Sequence, residues 1–266
     1  MLKNTKNFYR EYKANQIKQR SAVLTYYGFI ALFPLALFSM TILNLLLPKH
    51  SQLSEHFFKA LSQVIPSLGN QFFHNLNYNR SIGIWMATEL VLVLVGSTAL
   101  INELRLTLNQ IWHKKLPLLS KWQALKTNSL LLLLMGLSVL TMVGVIYGDL
   151  FVFHGSWLSI ASLIAACLLN GLWWLAIFRV AIIKSIPMSN FWPAAIVTGI
   201  VLQLMARFGG FILSYELKHL SSLYGSSALI LGILIWIYIQ VHLIFIISEI
   251  NLIRLRRASP ELRADN

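Results

Sequence analysis

The chain has 266 residues, 57% of them hydrophobic and only 12% charged, whereas a soluble domain carries about 25% charged residues; too few charges remain to coat a water-facing surface. Its net charge of +13, from 22 Lys and Arg against 9 Asp and Glu, would point to nucleic acid in a soluble protein. Here the basic residues flank apolar blocks, so no nucleic-acid partner is expected, and the single cysteine, Cys167, excludes an intrachain disulfide or a thiolate metal cluster.

Residues 1–20 are polar and basic and read as a cytoplasmic N-terminal segment. The apolar block that follows is too long for a signal peptide, and no small-residue cleavage site stands at its end. It reads as a first transmembrane helix over residues 21–47, with a kink expected at Pro34, which removes one backbone hydrogen bond. Residues 48–80 are more polar, yet Leu53, Phe57, Leu61 and Val64 recur at helical spacing. They predict a short amphipathic helix, broken near Pro66, that caps the bundle at its outer interface.

A second span is expected over residues 82–101, with Glu89 inside it. Beyond it Leu104, Leu108 and Ile111 continue the apolar period with Arg105, Asn109 and Gln110 between them, which predicts an amphipathic extension along the inner surface within an inner loop at 102–126. Trp112 and Trp122 suit the headgroup level. The third and fourth spans are expected at 127–147 and 157–178, joined tightly and therefore antiparallel. Gly144 and Gly148 form one small-xxx-small pair that permits close helix approach.

The fifth span is expected over 192–215, with Pro193 in its first turn and with Gln203 and Arg207 inside it. The sixth is expected over 226–250, with Gln240, His242 and Glu249. A basic tail, 251–266, closes the chain. The membrane domain thus runs over 21–250 as an all-α, polytopic six-helix bundle.

With the N-terminus inside, the inner segments hold 17 Lys and Arg and the outer segments hold 4, with Arg207 within a span. That asymmetry places both termini in the cytoplasm, and the same basic flanks meet anionic lipid headgroups. The outer stretch can meet a partner or a second copy, which leaves room for a homo-oligomer.

Ionisable groups within spans are costly and face a bundle interior or water. At a rise of 1.5 Å per residue, Glu89 lies about 10 Å and Arg207 about 12 Å below the outer edge. The matched depths predict that they pair or share a cavity, with Gln203 nearby, either as a polar binding site or as a structural ion pair. Glu249 is expected to meet Arg254 or another basic group of the inner segments. The seven histidines show no metal-ligand spacing. The chain has no G-x-x-x-x-G-K-[ST] and no G-x-S-x-G, so no metal, cofactor, ATPase or catalytic residue is expected.

The runs Ser21-Ala22-Val23-Leu24-Thr25-Tyr26-Tyr27 and Ala31-Leu32-Phe33-Pro34-Leu35 resemble the opening of the YihY/BrkB family of bacterial inner-membrane proteins. So do Leu108-Asn109-Gln110-Ile111-Trp112, Tyr224-Gly225-Ser226, Trp236-Ile237-Tyr238 and Glu249-Ile250-Asn251, in the same order and spacing over nearly the whole chain. One departure is Ser248-Glu249, where the family often has Gly-Ala-Glu. The resemblance implies a six-span inner-membrane protein of no settled biochemical activity, with Pro34, Asn109, Trp112, Glu249 and Asn251 as matched positions. Part of the family was once labelled a ribonuclease, and one member name refers to serum resistance, which suits an envelope role. Metal-dependent nucleases need clustered His and Asp ligands, and here the acids of the inner segments are mostly one per segment. The expectation is therefore a non-enzymatic inner-membrane protein that transports solutes or handles lipid or envelope material. A structural scaffold is the alternative, and a membrane-bound ribonuclease a remote one.

Overall fold

A computed structural model of the chain describes residues 2–46, 82–113, 120–151, 157–182, 187–224 and 228–258. The outer stretch 48–80 lies outside the described residues, as do the side chains of Pro34, Glu89, Gly144 and Gly148. Seven α-helices and no strand occur among the described residues: α1 (Leu2–Ala14), α2 (Ile17–Leu46), α3 (Ile82–His113), α4 (Lys121–Phe151), α5 (Trp157–Ala181), α6 (Trp192–Tyr224) and α7 (Ala228–Ala258). A single 3-10 turn, Met188–Asn190, precedes α6.

Helices α2 to α7 have 25 to 33 residues each. At 1.5 Å per residue they are about 38 to 50 Å long, more than the roughly 30 Å of a bilayer's hydrocarbon core. Two described segments are long and apolar enough to cross a bilayer, Ile160–Ala181 at mean hydropathy 2.0 and Ile230–Arg257 at 2.5. Trp192–Phe208 is a shorter apolar helix.

The helices close a ring. α2 packs on α3 and α7, α5 on α4 and α6, and α6 on α7, while α3 touches α4 only lightly. α1 lies against α7, where Arg256 approaches Glu11 at 3.8 Å. Both ends of the described chain therefore sit at one end of the bundle, here the termini end. There the packing is tight: Leu104, Leu108 and Ile111 of α3, Phe178 of α5, Phe191 just before α6, and Phe245 of α7 are almost fully buried in one apolar cluster.

Two local features differ from the expectation drawn from the sequence. The N-terminal segment is helical, and Gln16, at φ 52°, turns the chain between α1 and α2. The extension beyond residue 101 is not a surface helix with an outward polar face. It is the last third of an unbroken α3, and its Arg105 and Asn109 are buried. The reason is that α5 and α7 continue alongside it, so both of its faces meet protein.

The outward faces of the ring are apolar. Ile160, Ile164, Leu168 and Leu172 of α5 recur every four residues and each is more than half exposed. Asn170 on the same helix, and Thr198 and Gln203 on α6, are fully buried. A helix packed in water has the opposite arrangement, and a contiguous apolar belt of this kind has lipid as its natural solvent. The fold is that of a membrane protein.

Candidate functional site

The polar groups inside the ring form two connected sets. The first joins α4, α5 and α6. Ser138 Oγ donates to Asn170 Oδ1 at 2.6 Å, and Asn170 Nδ2 donates to Gln203 Oε1 at 3.1 Å. Trp173 Nε1 donates to Thr141 Oγ1 at 3.0 Å alongside. Two glycines allow α5 and α6 this approach. A methyl group on Gly199 would stand 2.7 Å from the Gly171 Cα, and one on Gly171 would stand 3.3 Å from the Ile196 Cα. Neither glycine is conspicuous in the sequence, because they belong to different helices and only the antiparallel register brings them together.

This set is not closed. Gln203 Nε2, Thr198 Oγ1 and Trp174 Nε1 are buried with no hydrogen-bond partner. Asn170 lies one turn from Trp174 on α5 and beside Gly199 of α6, so the three open groups occupy neighbouring levels of one interface. Buried polar atoms are nearly always paired, and each unpaired one costs about 1–3 kcal/mol. Three such atoms lie close together in this interface.

The second set lies at the termini end and holds four of the family-matched positions. Asn109 Nδ2 donates to the carbonyls of Arg105 and Ala181, both at 2.7 Å, and so caps the end of α5. Trp112 Nε1 donates to Ser248 Oγ at 2.9 Å, and its ring packs against Phe191 at a tilt of 58° and a centroid distance of 4.7 Å. Asn251 Nδ2 donates to the Asn190 carbonyl at 2.8 Å, which fixes the 3-10 turn before α6. Glu249 is fully buried and accepts from Asn15 Nδ2 at 2.8 Å, while Arg254 is exposed. The acid thus meets a neutral amide of the α1–α2 turn, a partner that charge counting does not single out.

His242 completes this end. Ser21 Oγ donates to the Ile17 carbonyl at 2.7 Å and lies 3.0 Å from His242 Nδ1. Its one proton is thereby spent, so Nδ1 carries hydrogen and donates to Ser21, and Nε2 accepts from the Tyr12 hydroxyl at 3.2 Å. Burial pushes the Tyr12 phenol above its ordinary value, with Tyr238 and Tyr9 adding to the shift, which keeps it a donor. Arg20 pairs with Glu103 at 3.1 Å and joins α2 to α3.

Of the residues expected to share a membrane site, Gln203 is fully buried in the α5–α6 interface and Arg207, one turn along, is exposed on α6. The Glu89 side chain, and hence its relation to Arg207, lies outside the described residues. No group of three His, Cys, Asp or Glu with metal-ligand geometry occurs among the described residues. Asn170 and Gln203 are, from the sequence, polar span residues able to hydrogen-bond between helices, and they bond to each other; the sequence does not single out Thr198 and Trp174 with them. The available signal was polar residues on otherwise apolar spans.

A family model described as "Virulence factor BrkB" matches residues 8–266. The chain belongs to the BrkB family. The match covers both polar sets and the whole ring, so the architecture described above is the BrkB-family domain in this chain. No curated protein and no solved structure matches it.

Proposed function

We propose that this BrkB-family chain is a six-span protein of the bacterial inner membrane, with both termini in the cytoplasm, that moves or handles a polar solute or a lipid headgroup through its interior. It does so without an ATPase of its own and without covalent chemistry. The observation that supports this reading is the set of open polar atoms on Gln203, Thr198 and Trp174, buried in a ring whose outward faces are apolar. Such groups are expensive within a membrane and mark substrate paths. The excess of Lys and Arg near the expected inner ends supports the orientation.

A scaffold is favoured instead by the close α5–α6 contact at Gly171 and Gly199, where polar groups could act only as glue between helices. Native mass spectrometry of the protein released from nanodiscs of bacterial lipid separates the two. The transport reading expects a lipid or solute retained by wild type and lost in Gln203→Leu. No retained ligand, with only a lower unfolding temperature in the variant, would establish the scaffold.

A further inference from the structure

Arg105 is the one strongly buried cation described in the ring, at 9% exposure. Its Nη1 has no hydrogen-bond partner, and its Nη2 makes a single long contact, 3.4 Å, to Asn102 Oδ1. No carboxylate lies within ion-pair distance of it among the described residues. The acid two residues before it, Glu103, points to another neighbour: its Oε1 accepts from Arg20 at 3.1 Å and from Thr107 at 3.4 Å. Arginine does not lose its proton in proteins. The charge is therefore present and uncompensated.

The surroundings are polar and lie where α3 and α4 meet lightly. Asn128 of α4 donates from Nδ2 to the same Asn102 Oδ1, at 2.9 Å. Asn128 and Arg105 thus converge on one oxygen, and Asn128 Oδ1 is itself buried without a partner. Lys126, one half-turn earlier on α4, is exposed near the same end. A buried cation needs an anionic partner to offset its desolvation, and a planar guanidinium with two open donors suits a pair of phosphoryl oxygens. An open amide oxygen beside it suits a hydroxyl or a protonated phosphate.

We propose that Arg105, with Asn102 and Asn128, binds a phosphate-bearing anion at the α3–α4 seam near the termini end, as an anionic phospholipid headgroup or as free phosphate. This site deepens the transport reading and rests on it for the ligand's purpose. It is read by binding alone, so it and the Gln203 test fail independently.

The test uses full-length protein in a neutral detergent, titrated with phosphatidylglycerol in mixed micelles and separately with inorganic phosphate, with the unfolding midpoint as readout. Wild type is stabilised, and the apparent affinity falls at least tenfold in Arg105→Gln. Stabilisation by phosphatidylglycerol only names the headgroup, and stabilisation by inorganic phosphate as well names the free anion. Asn128→Asp places a carboxylate near Arg105, at the loss of the bond that Asn128 Nδ2 donates to Asn102 Oδ1. It keeps a cooperative unfolding transition and loses the response, so it carries the test if Arg105→Gln does not fold. An equal response in wild type and both variants, or no response in wild type to either ligand, overturns the proposal.

Discussion

Asn15 Nδ2 donates a 2.8 Å hydrogen bond to Glu249 Oε2, across 234 residues of sequence, and both side chains are buried. The bond ties the turn between α1 and α2 to the end of α7. Leaving a buried polar group unpaired costs about 1–3 kcal/mol, so Asn15→Ala is expected to lower stability by about 2 kcal/mol. Glu249→Gln keeps an acceptor of the same shape and costs less. Thermal unfolding in detergent gives the order, and a larger loss for Glu249→Gln would contradict it.

The α5–α6 contact predicts a ranking of glycine substitutions. Gly199→Ala brings a methyl group against backbone atoms of Asn170 and Gly171, so the helices must separate. Overpacking of this kind costs about 1–3 kcal/mol, and it stretches the Asn170–Gln203 bond. Gly171→Ala is milder. Gly136→Ala meets nothing within 4 Å and gains up to about 1 kcal/mol of helix propensity. Unfolding midpoints that fail to follow this order would refute the register of α5 on α6.

Trp112→Phe removes the N–H that reaches Ser248 and trims the buried ring that packs on Phe191. A loss of about 2 kcal/mol is expected. Asn109→Ala removes two bonds at 2.7 Å and uncovers the last carbonyls of α5, so it costs more than Trp112→Phe. Limited proteolysis after α5 checks the site of the damage, with Asn109→Ala cut faster there than Trp112→Phe.

Gln16 has a left-handed backbone, φ 52°, which costs a side chain with a Cβ about 1–2 kcal/mol and costs glycine little. Gln16→Gly is therefore expected to be neutral or to stabilise the protein by up to about 1 kcal/mol, despite the flexibility it adds to the unfolded chain. A clear destabilisation in a melting curve would argue against this turn.

How much of this was legible follows from what each signal measures. Apolar blocks placed the six long helices, because a long apolar run near a bilayer has few alternatives. The same hydropathy misjudged the end of α3. Leu104, Leu108 and Ile111 do mark a buried face, but periodicity says nothing of what covers Arg105 and Asn109, which depends on how far α5 and α7 extend. The family-matched Asn109, Trp112, Glu249 and Asn251 stood out as a string in sequence, and the structure explains them as links between distant helices. Gly171 with Gly199, and Asn170 with Gln203, needed the helix register, which one sequence does not carry. The matched depth of Glu89 and Arg207 was an argument from length alone, and the Glu89 side chain is not among those described.

The account turns on whether the interior beside Gln203 admits water and solute. The most direct measurement replaces Cys167, the only cysteine, with alanine and introduces Thr198→Cys or Leu168→Cys in turn. Each protein is reconstituted in liposomes and treated with a membrane-impermeant methanethiosulfonate. Thr198 is fully buried inside the ring and Leu168 is 55% exposed on its outward face. The account predicts that the cysteine at 198 is modified and the one at 168 is not. An unreactive cysteine at 198 would mean a dry, closed interior and would contradict a path for polar ligands.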